Sequence, residues 1–463
     1  MRFDLVIRGG RIVTASEAFI GDIGMRDGQI SALGDSLPRG DDEIDAKGLL
    51  VLPGGVDAHC HIDEPPFLNA RLADDFRSAS LSAACGGTTT FMPFVNQVEG
   101  LTLSQSLGDY RAKAAGSLID FAFHVILKAD ETEVLKADID ALLAKGLTSF
   151  KLFMTYDGYQ MEDGQILEVM SRVGAAGGIV LVHAENGRCI HWLGSRLVYK
   201  GKTGLSNFRA SAPQVVEREA VHRAIALAEI ADARIMIVHV SSRDALEQIQ
   251  WARARGLPVL AETCPQYLVD QGDRLSSDEW GAAKYLCSPP PRGGDNAEAL
   301  WKGVADGAFD ILSSDHCPYR FEGEDGKRAF ASEPHFQQVP PGVPGLETRL
   351  PLIFEHGVKS GRISLNQFVA LTATEPAKIY GLYPRKGSLM PGADADIVLW
   401  DPDCPTTIRH AMLHDACDYT PYEGLAVSAW PVVTLSRGEK IWDRGWVSGA
   451  YGRGREIPRQ RAA

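Results

Sequence analysis

No stretch of this sequence approaches the roughly 18 uninterrupted apolar residues of a membrane-spanning helix, so no integral membrane protein is expected. The first residues, Met-Arg-Phe-Asp-Leu-Val-Ile-Arg, lack the apolar core of a secretory signal, which makes the cytoplasm the expected location. Basic residues are in deficit: 47 Lys and Arg stand against 60 Asp and Glu, a net charge of −13. Nucleic acids and anionic membranes are held by clustered Lys and Arg, so neither is an expected partner. The eight cysteines, at 60, 85, 189, 264, 287, 317, 404 and 417, are scattered and form no C-x-x-C. That excludes a disulfide framework and fits free thiols in a reducing compartment. A G-x-G-x-x-G following the first strand is also missing, which leaves an open, doubly wound nucleotide-binding sheet without support.

What is present is an ordinary globular composition, 45% hydrophobic and 23% charged over 463 residues, enough for one large domain and a smaller one. Both ends read as β-structure. Asp4–Arg8, Gly9-Gly10 and Arg11–Thr14 alternate and turn, Ala395–Trp400 is a strand candidate, and Val432–Trp442 reads as a hairpin. The middle alternates short apolar runs with helical stripes. The run ending at His59 is followed by strand candidates Gly87–Pro93, Asp120–His124, Thr148–Met154, Ile179–His183, Ile235–His239, Val259–Thr263 and Ile311–Asp315. Helices are expected over Thr132–Lys145, Val216–Ala231 and Arg243–Arg255. In the first of these, Leu135, Ile139, Leu142 and Leu143 form the stripe and Gly146 the stop. Eight strands alternating with helices predict an α/β chain built on a (β/α)8 barrel. The expected division is a β-sandwich from residues 1–53 and 385–463 around a catalytic barrel over 54–384.

The polar residues fall where such a barrel does chemistry, at the C-terminal ends of its strands. His59-Cys60-His61 places two imidazoles on one side of the first strand, half of a four-coordinate metal site. His183, His239 and Asp315 close later strands, and Lys151 occupies the same place in another. An ammonium cannot ligate a cation. Burial and neighbouring positive charge depress a lysine pKa, and the neutral amine can add carbon dioxide to become an anionic carbamate with two bridging oxygens. Charge counting then works: two divalent ions bring +4, while the carbamate, Asp315 and a hydroxide bring −3, and the residual +1 is able to polarise a carbonyl. Ordinary explanations exist for each residue singly, a rim or core histidine or a salt-bridged lysine, and they weaken only because five strand ends coincide. His191, His222, His335, His356, His410 and His414 are read as structural or surface residues, His316 as flanking the site, and His124 stays unassigned.

These residues sit in segments that resemble the amidohydrolase superfamily, and within it the cyclic amidases, the dihydropyrimidinases and hydantoinases. The segments are Pro53-Gly-Gly-Val-Asp-Ala-His-Cys-His-Ile-Asp, Gly86-Gly-Thr-Thr-Thr, Ser149-Phe-Lys-Leu-Phe-Met-Thr-Tyr, Val182-His-Ala-Glu-Asn and His239-Val-Ser-Ser. Further on come Glu262-Thr-Cys-Pro-Gln-Tyr-Leu, Cys287-Ser-Pro-Pro-Pro-Arg, Ser314-Asp-His-Cys and Gly342-Val-Pro-Gly-Leu-Glu-Thr-Arg. The resemblance covers essentially the whole chain and implies the same barrel and sandwich. It implies that His59, His61, Lys151 and Asp315 hold the more buried of two divalent ions, and that carboxylated Lys151, His183 and His239 hold the second. Zinc is the default, with manganese or cobalt suited to the same ligands. Tyr156 matches the tyrosine that steadies the developing oxyanion, with Asp315 as general base and acid. Ser288 matches a residue whose backbone binds the substrate's amide edge. The implied reaction is hydrolytic ring opening of a 5-substituted hydantoin or a dihydropyrimidine to an N-carbamoyl amino acid. The implied assembly is a homo-oligomer, a tetramer or dimer.

Two departures bear on the substrate. Pro341 stands where hydantoinases usually have Asn; proline keeps the carbonyl that accepts a substrate N–H but locks φ. The segment Asp157-Gly-Tyr159-Gln after Tyr156 is one residue shorter than usual. Among rival readings, dihydroorotase is disfavoured because Asp63 stands where that enzyme carries a carboxylate-gripping arginine. An allantoinase-like ureide hydrolase is closer. A non-catalytic dihydropyrimidinase-related scaffold is opposed by the complete ligand set.

Overall fold

The computed structural model of this chain describes residues 2–130, 132–269, 272–329 and 332–460. At its centre, parallel strands follow one another in chain order: Gly55–Cys60, Thr88–Val95, His124–Ile126, Ser149–Phe153, Ile179–His183, Ile235–Ile237, Val259–Thr263 and Ile311–Leu312. The ring closes just beyond its eighth strand. The Asp315 N–H donates to the His59 carbonyl at 3.0 Å, and the His61 N–H donates to the His316 carbonyl at 2.7 Å. This is the (β/α)8 barrel that the alternation of apolar runs and helical stripes predicts.

Side-chain alternation along the strands decides what reaches the barrel mouth. Phe150, Leu152, Val180 and Val182 pack outward into the large core beneath the helices, while Phe153, Ile179 and Leu181 belong to the inner cluster. Lys151 and His183, in phase with the second set, therefore project inward. The helices form as expected, over Thr132–Leu143, Gln214–Ala231 and Arg243–Ala254. Leu135, Ile139 and Leu142 are buried, and Gly146 takes φ of 82° beyond the first helix.

The third strand departs from expectation. In place of one strand over Asp120–His124 there are two short pieces, Asp120–Phe121 and His124–Ile126, both paired with Thr88–Val95. The physical reason lies far along the chain. The Phe121 N–H donates to the Arg455 carbonyl and the Phe121 carbonyl accepts from Ile457 N–H, at 2.9 and 2.8 Å, so the C-terminal tail takes hydrogen bonds a regular ladder would use.

Both chain ends meet in one nine-stranded sheet. Leu50–Pro53 pairs antiparallel with Ile397–Asp401, joining the N-terminal strands to Trp430–Ser436 and Glu439–Asp443. The expected hairpin turns through Arg437 and Gly438, both at positive φ, 46° and 74°. The sheet is tied to the barrel by buried Lys386, whose ammonium lies 2.6 Å from Asp120, 2.9 Å from Asp394 and 2.7 Å from Asp396. Those three carboxylates hold Lys386 above its ordinary pKa against the effect of burial. Among the described residues, no helix is long and apolar enough to cross a membrane.

Candidate metal centre

The barrel brings the six strand-end side chains to one place. His59 lies in the first strand and His61 just after it, Lys151 in the fourth, and His183 closes the fifth; His239 and Asp315 follow the sixth and eighth. Ring centroids are 5.6 Å apart for His59 and His61, 5.4 Å for His59 and His239, and 4.4 Å for His183 and His239. Ligand atoms of His59, His61 and Asp315 all lie within 4.8 Å of one another. Tyr156, His239 and Asp315 hold positive φ of 69°, 41° and 49°. For a tyrosine and a histidine that conformation costs about 1–3 kcal/mol each, a cost concentrated where side chains must be re-aimed into the mouth.

Hydrogen bonds fix which nitrogen faces the centre. His59 Nδ1 lies 2.5 Å from Glu262 Oε1, and His61 Nδ1 lies 2.6 Å from Glu64 Oε1. A carboxylate only accepts, so both Nδ1 atoms carry the hydrogen and both Nε2 atoms present a lone pair in the neutral rings. These lone pairs face Asp315 Oδ1, at 3.1 Å from His59 and 3.5 Å from His61. Despite that short distance, buried His59 Nε2 has no hydrogen-bond partner among the described residues, and neither does buried His239 Nδ1. His183 Nε2 is engaged by Glu185 Oε2 at 2.9 Å, which leaves its Nδ1 for a ligand. Acceptors pointed at acceptors in a buried space are repulsive unless a proton or a cation lies between them. The donor set, imidazole and carboxylate, suits a divalent transition metal.

The electrostatics agree. Burial works against a charged ring, but Glu262 and Asp315 hold His59 above its ordinary pKa, and Glu64 and Asp315 carry His61 up to about 9. Burial alone would raise Asp315, yet His59 and His61 keep it well below the usual carboxylate range. His183 and His239 are pushed down, chiefly by burial. Lys151 is 1% exposed, its ammonium nitrogen 5.3 Å from the ring centroids of Phe94 and Phe153. Desolvation lowers its pKa to about 8 against the opposing pull of Asp315 and Glu262. A neutral amine is therefore accessible near neutral pH, as carbamate formation needs.

The centre opens into a cleft whose walls include Tyr156, Ser288, Pro341 and Gly342. Burial pushes the Tyr156 phenol well above its ordinary pKa, against the opposing effect of the neighbouring Ser288 side chain. The two loops carrying Ser288 and Pro341 are stitched together by the Gly342 N–H donating to the Leu286 carbonyl at 2.8 Å. A Cβ on Gly342 would stand 2.6 Å from the Cys317 carbonyl oxygen, so only glycine fits there. Asp63 is not in the cleft. It meets Lys113 at 3.4 Å on the partly exposed side of its loop.

Sequence reasoning missed the carboxylates that orient the ligands: Glu64, Glu185 and Glu262. Behind Glu185 lies Arg292, 3.7 Å from it and 3.0 Å from Glu217, with the Arg and Glu side chains all about 2–3% exposed. Glu262 was within reach, since it lies one residue before the end of the seventh strand, close to where the other site residues lie on theirs. His124 is a buried structural residue between Ser149 Oγ and the Ala58 carbonyl, and His316 pairs with Asp74 at 3.0 Å. His414 does have a partner, Glu347, at 3.1 Å.

Residues 50–441 match the Amidohydrolase family. The chain is 41% identical over 449 residues to the D-hydantoinase of Rhizobium radiobacter, covering 96% of this chain and 97% of that protein. A solved D-hydantoinase structure superposes with a TM-score of 0.95 at 39% identity, covering 99% of this chain and 100% of that one. The structure of a dihydropyrimidinase from Brevibacillus agri also gives a TM-score of 0.95, at 36% identity and with 99% of each chain covered.

Proposed function

The chain belongs to the amidohydrolase family, in its hydantoinase and dihydropyrimidinase group, and we propose that its cleft opens a cyclic amide or ureide ring by hydrolysis, yielding an N-carbamoyl amino acid. The observation that carries this reading is the convergence of six strand-end side chains on one buried point, with imidazole lone pairs left facing a carboxylate. His59, His61 and Asp315 would hold one divalent ion and His183 and His239 the other, with Lys151 shared between them as its carbamate. Bound there, two such ions, zinc by default and manganese or cobalt as alternatives, polarise an amide carbonyl and make the attacking water acidic.

The rest is the work of the chain's own residues. Asp315, kept ionised by its histidine neighbours, accepts the proton of the attacking water and returns it to the departing ring nitrogen. Tyr156 donates a hydrogen bond to the oxygen on which charge develops, and its raised pKa keeps it a donor throughout the neutral range. The backbone of Ser288 and the carbonyl of Pro341, which needs no N–H for this role, hold the amide edge of the ring. The same reading includes a homo-oligomeric assembly.

Metal analysis paired with hydrolysis of hydantoin and dihydrouracil tests the proposal. About two ions per chain with ring opening are expected. A folded protein with neither would instead be a scaffold that acts by association.

A further inference from the structure

Beside Glu64, which steadies His61, two polar side chains with no part in this chemistry line one wall of the cleft. Asn96, buried directly after the second barrel strand, donates from Nδ2 to Glu64 Oε2 at 3.2 Å and to the Tyr159 hydroxyl at 3.0 Å. The Tyr159 hydroxyl lies 3.2 Å from Asn96 Oδ1, to which it donates in turn. The compact turn after Tyr156 delivers this tyrosine: Gly158 takes φ of 79°, and the Tyr156 carbonyl accepts from both Tyr159 N–H and Gln160 N–H, at 3.1 and 2.8 Å.

Position and chemistry give this wall a use. Glu64, Asn96 and Tyr159 come from loops after the first, second and fourth strands, whereas Ser288 and Pro341 come from loops after the seventh and eighth. Strands adjoin in chain order around the ring, so Tyr159, after the fourth strand, lies across the mouth from Pro341, after the eighth. A ring held by its amide edge at Ser288 and Pro341 would turn a substituent on its far side toward Tyr159 and its partner Asn96. The polar wall is rich in acceptors. Glu64 uses one oxygen on His61 and the other on Asn96, each with a lone pair to spare, and Asn96 Oδ1 and the Tyr159 oxygen add more. Ordinary alkyl groups would take these acceptors out of water without offering their spare lone pairs a hydrogen bond. An ammonium would meet Lys128, whose nitrogen lies 5.6 Å from the Tyr159 ring centroid.

We propose that Asn96 and Tyr159, backed by Glu64, form a specificity subsite for a ring substituent carrying neutral N–H donors, a carboxamide or ureido group on a short linker. This rests on the ring-opening reading above and names the substrate class within it.

The test compares kcat/KM for 5-(carbamoylmethyl)hydantoin and for 5-isobutylhydantoin, nearly the same shape, each normalised to unsubstituted hydantoin. The metal-loaded wild-type enzyme should prefer the carboxamide by about tenfold or more, since sites built from buried polar groups reject analogues that leave them unpaired. Asn96→Leu should erase or invert that preference, and Tyr159→Phe should reduce it severalfold. Wild-type preference for the isobutyl ring, or a ratio that neither variant moves, overturns the subsite while leaving ring opening intact. Failure to open unsubstituted hydantoin and dihydrouracil overturns the ring-opening reading itself, and the subsite with it.

Discussion

Glu262→Gln isolates the groups behind the ligands from the ligands themselves. Glu262 is fully buried, accepts from His59 Nδ1 at 2.5 Å and also takes the His239 backbone N–H at 3.3 Å, while its other oxygen, Oε2, has no partner among the described residues. The carboxylate thus fixes the His59 tautomer and adds electron density to the ring whose Nε2 would bind metal. Glutamine keeps the shape and one acceptor but removes the charge, and charge-assisted hydrogen bonds are about twice as strong as neutral ones. Its amide NH₂ would also occupy a buried place where no acceptor was needed before, at a cost of about 1–3 kcal/mol. Loss of an outer-shell carboxylate on a metal-bound histidine typically weakens metal binding by about 10–100-fold, roughly 1.4–2.7 kcal/mol. Competition against a chelator of known affinity, on protein whose circular dichroism matches wild type, would measure the loss. The two sites should separate, with weakening at the ion held by His59 and little at the ion held by His183. Unchanged affinity at both sites in a folded variant would refute the assignment of Glu262 to His59.

Lys151→Ala should abolish metal retention and ring opening together, measured by elemental analysis and product assay; a fully metallated, active variant would dismiss the carbamate bridge. Tyr156→Phe should keep its metal and lower kcat by about 10²–10³, the usual effect of removing one oxyanion donor. Metal uptake should release protons and weaken as pH falls, because the apo-protein holds a proton on His61 below its pKa of about 9. Calorimetry in buffers of differing ionisation enthalpy would detect that release between pH 7 and 8 (proton uptake there would contradict the His61 geometry). Lys386→Met should destabilise the protein by about 3–5 kcal/mol in a denaturation experiment, since Asp396 would then be buried without a cation. Adding Asp396→Asn should recover part of the loss.

The candidate ligands were legible in the sequence because strand geometry is local: a period of two and a common position at strand ends single out His59, His61, Lys151, His183, His239 and Asp315 without knowledge of tertiary contacts. The carboxylates behind them were not. Glu262 reaches His59 across 203 residues and Arg292 reaches Glu217 across 75, through adjacency that exists only once the ring has closed. The split third strand has the same origin, since the tail that bonds Phe121 returns from Arg455 and Ile457. Even so, the two departures noted in the sequence, the short segment before Tyr159 and Pro341, lie on facing walls of one cleft. A barrel keeps its chemistry on strand ends and its selectivity on the loops above them. The loops can therefore change the substrate while the strand ends stay fixed. The proposed Asn96–Tyr159 subsite lies on such loops, after the second and fourth strands.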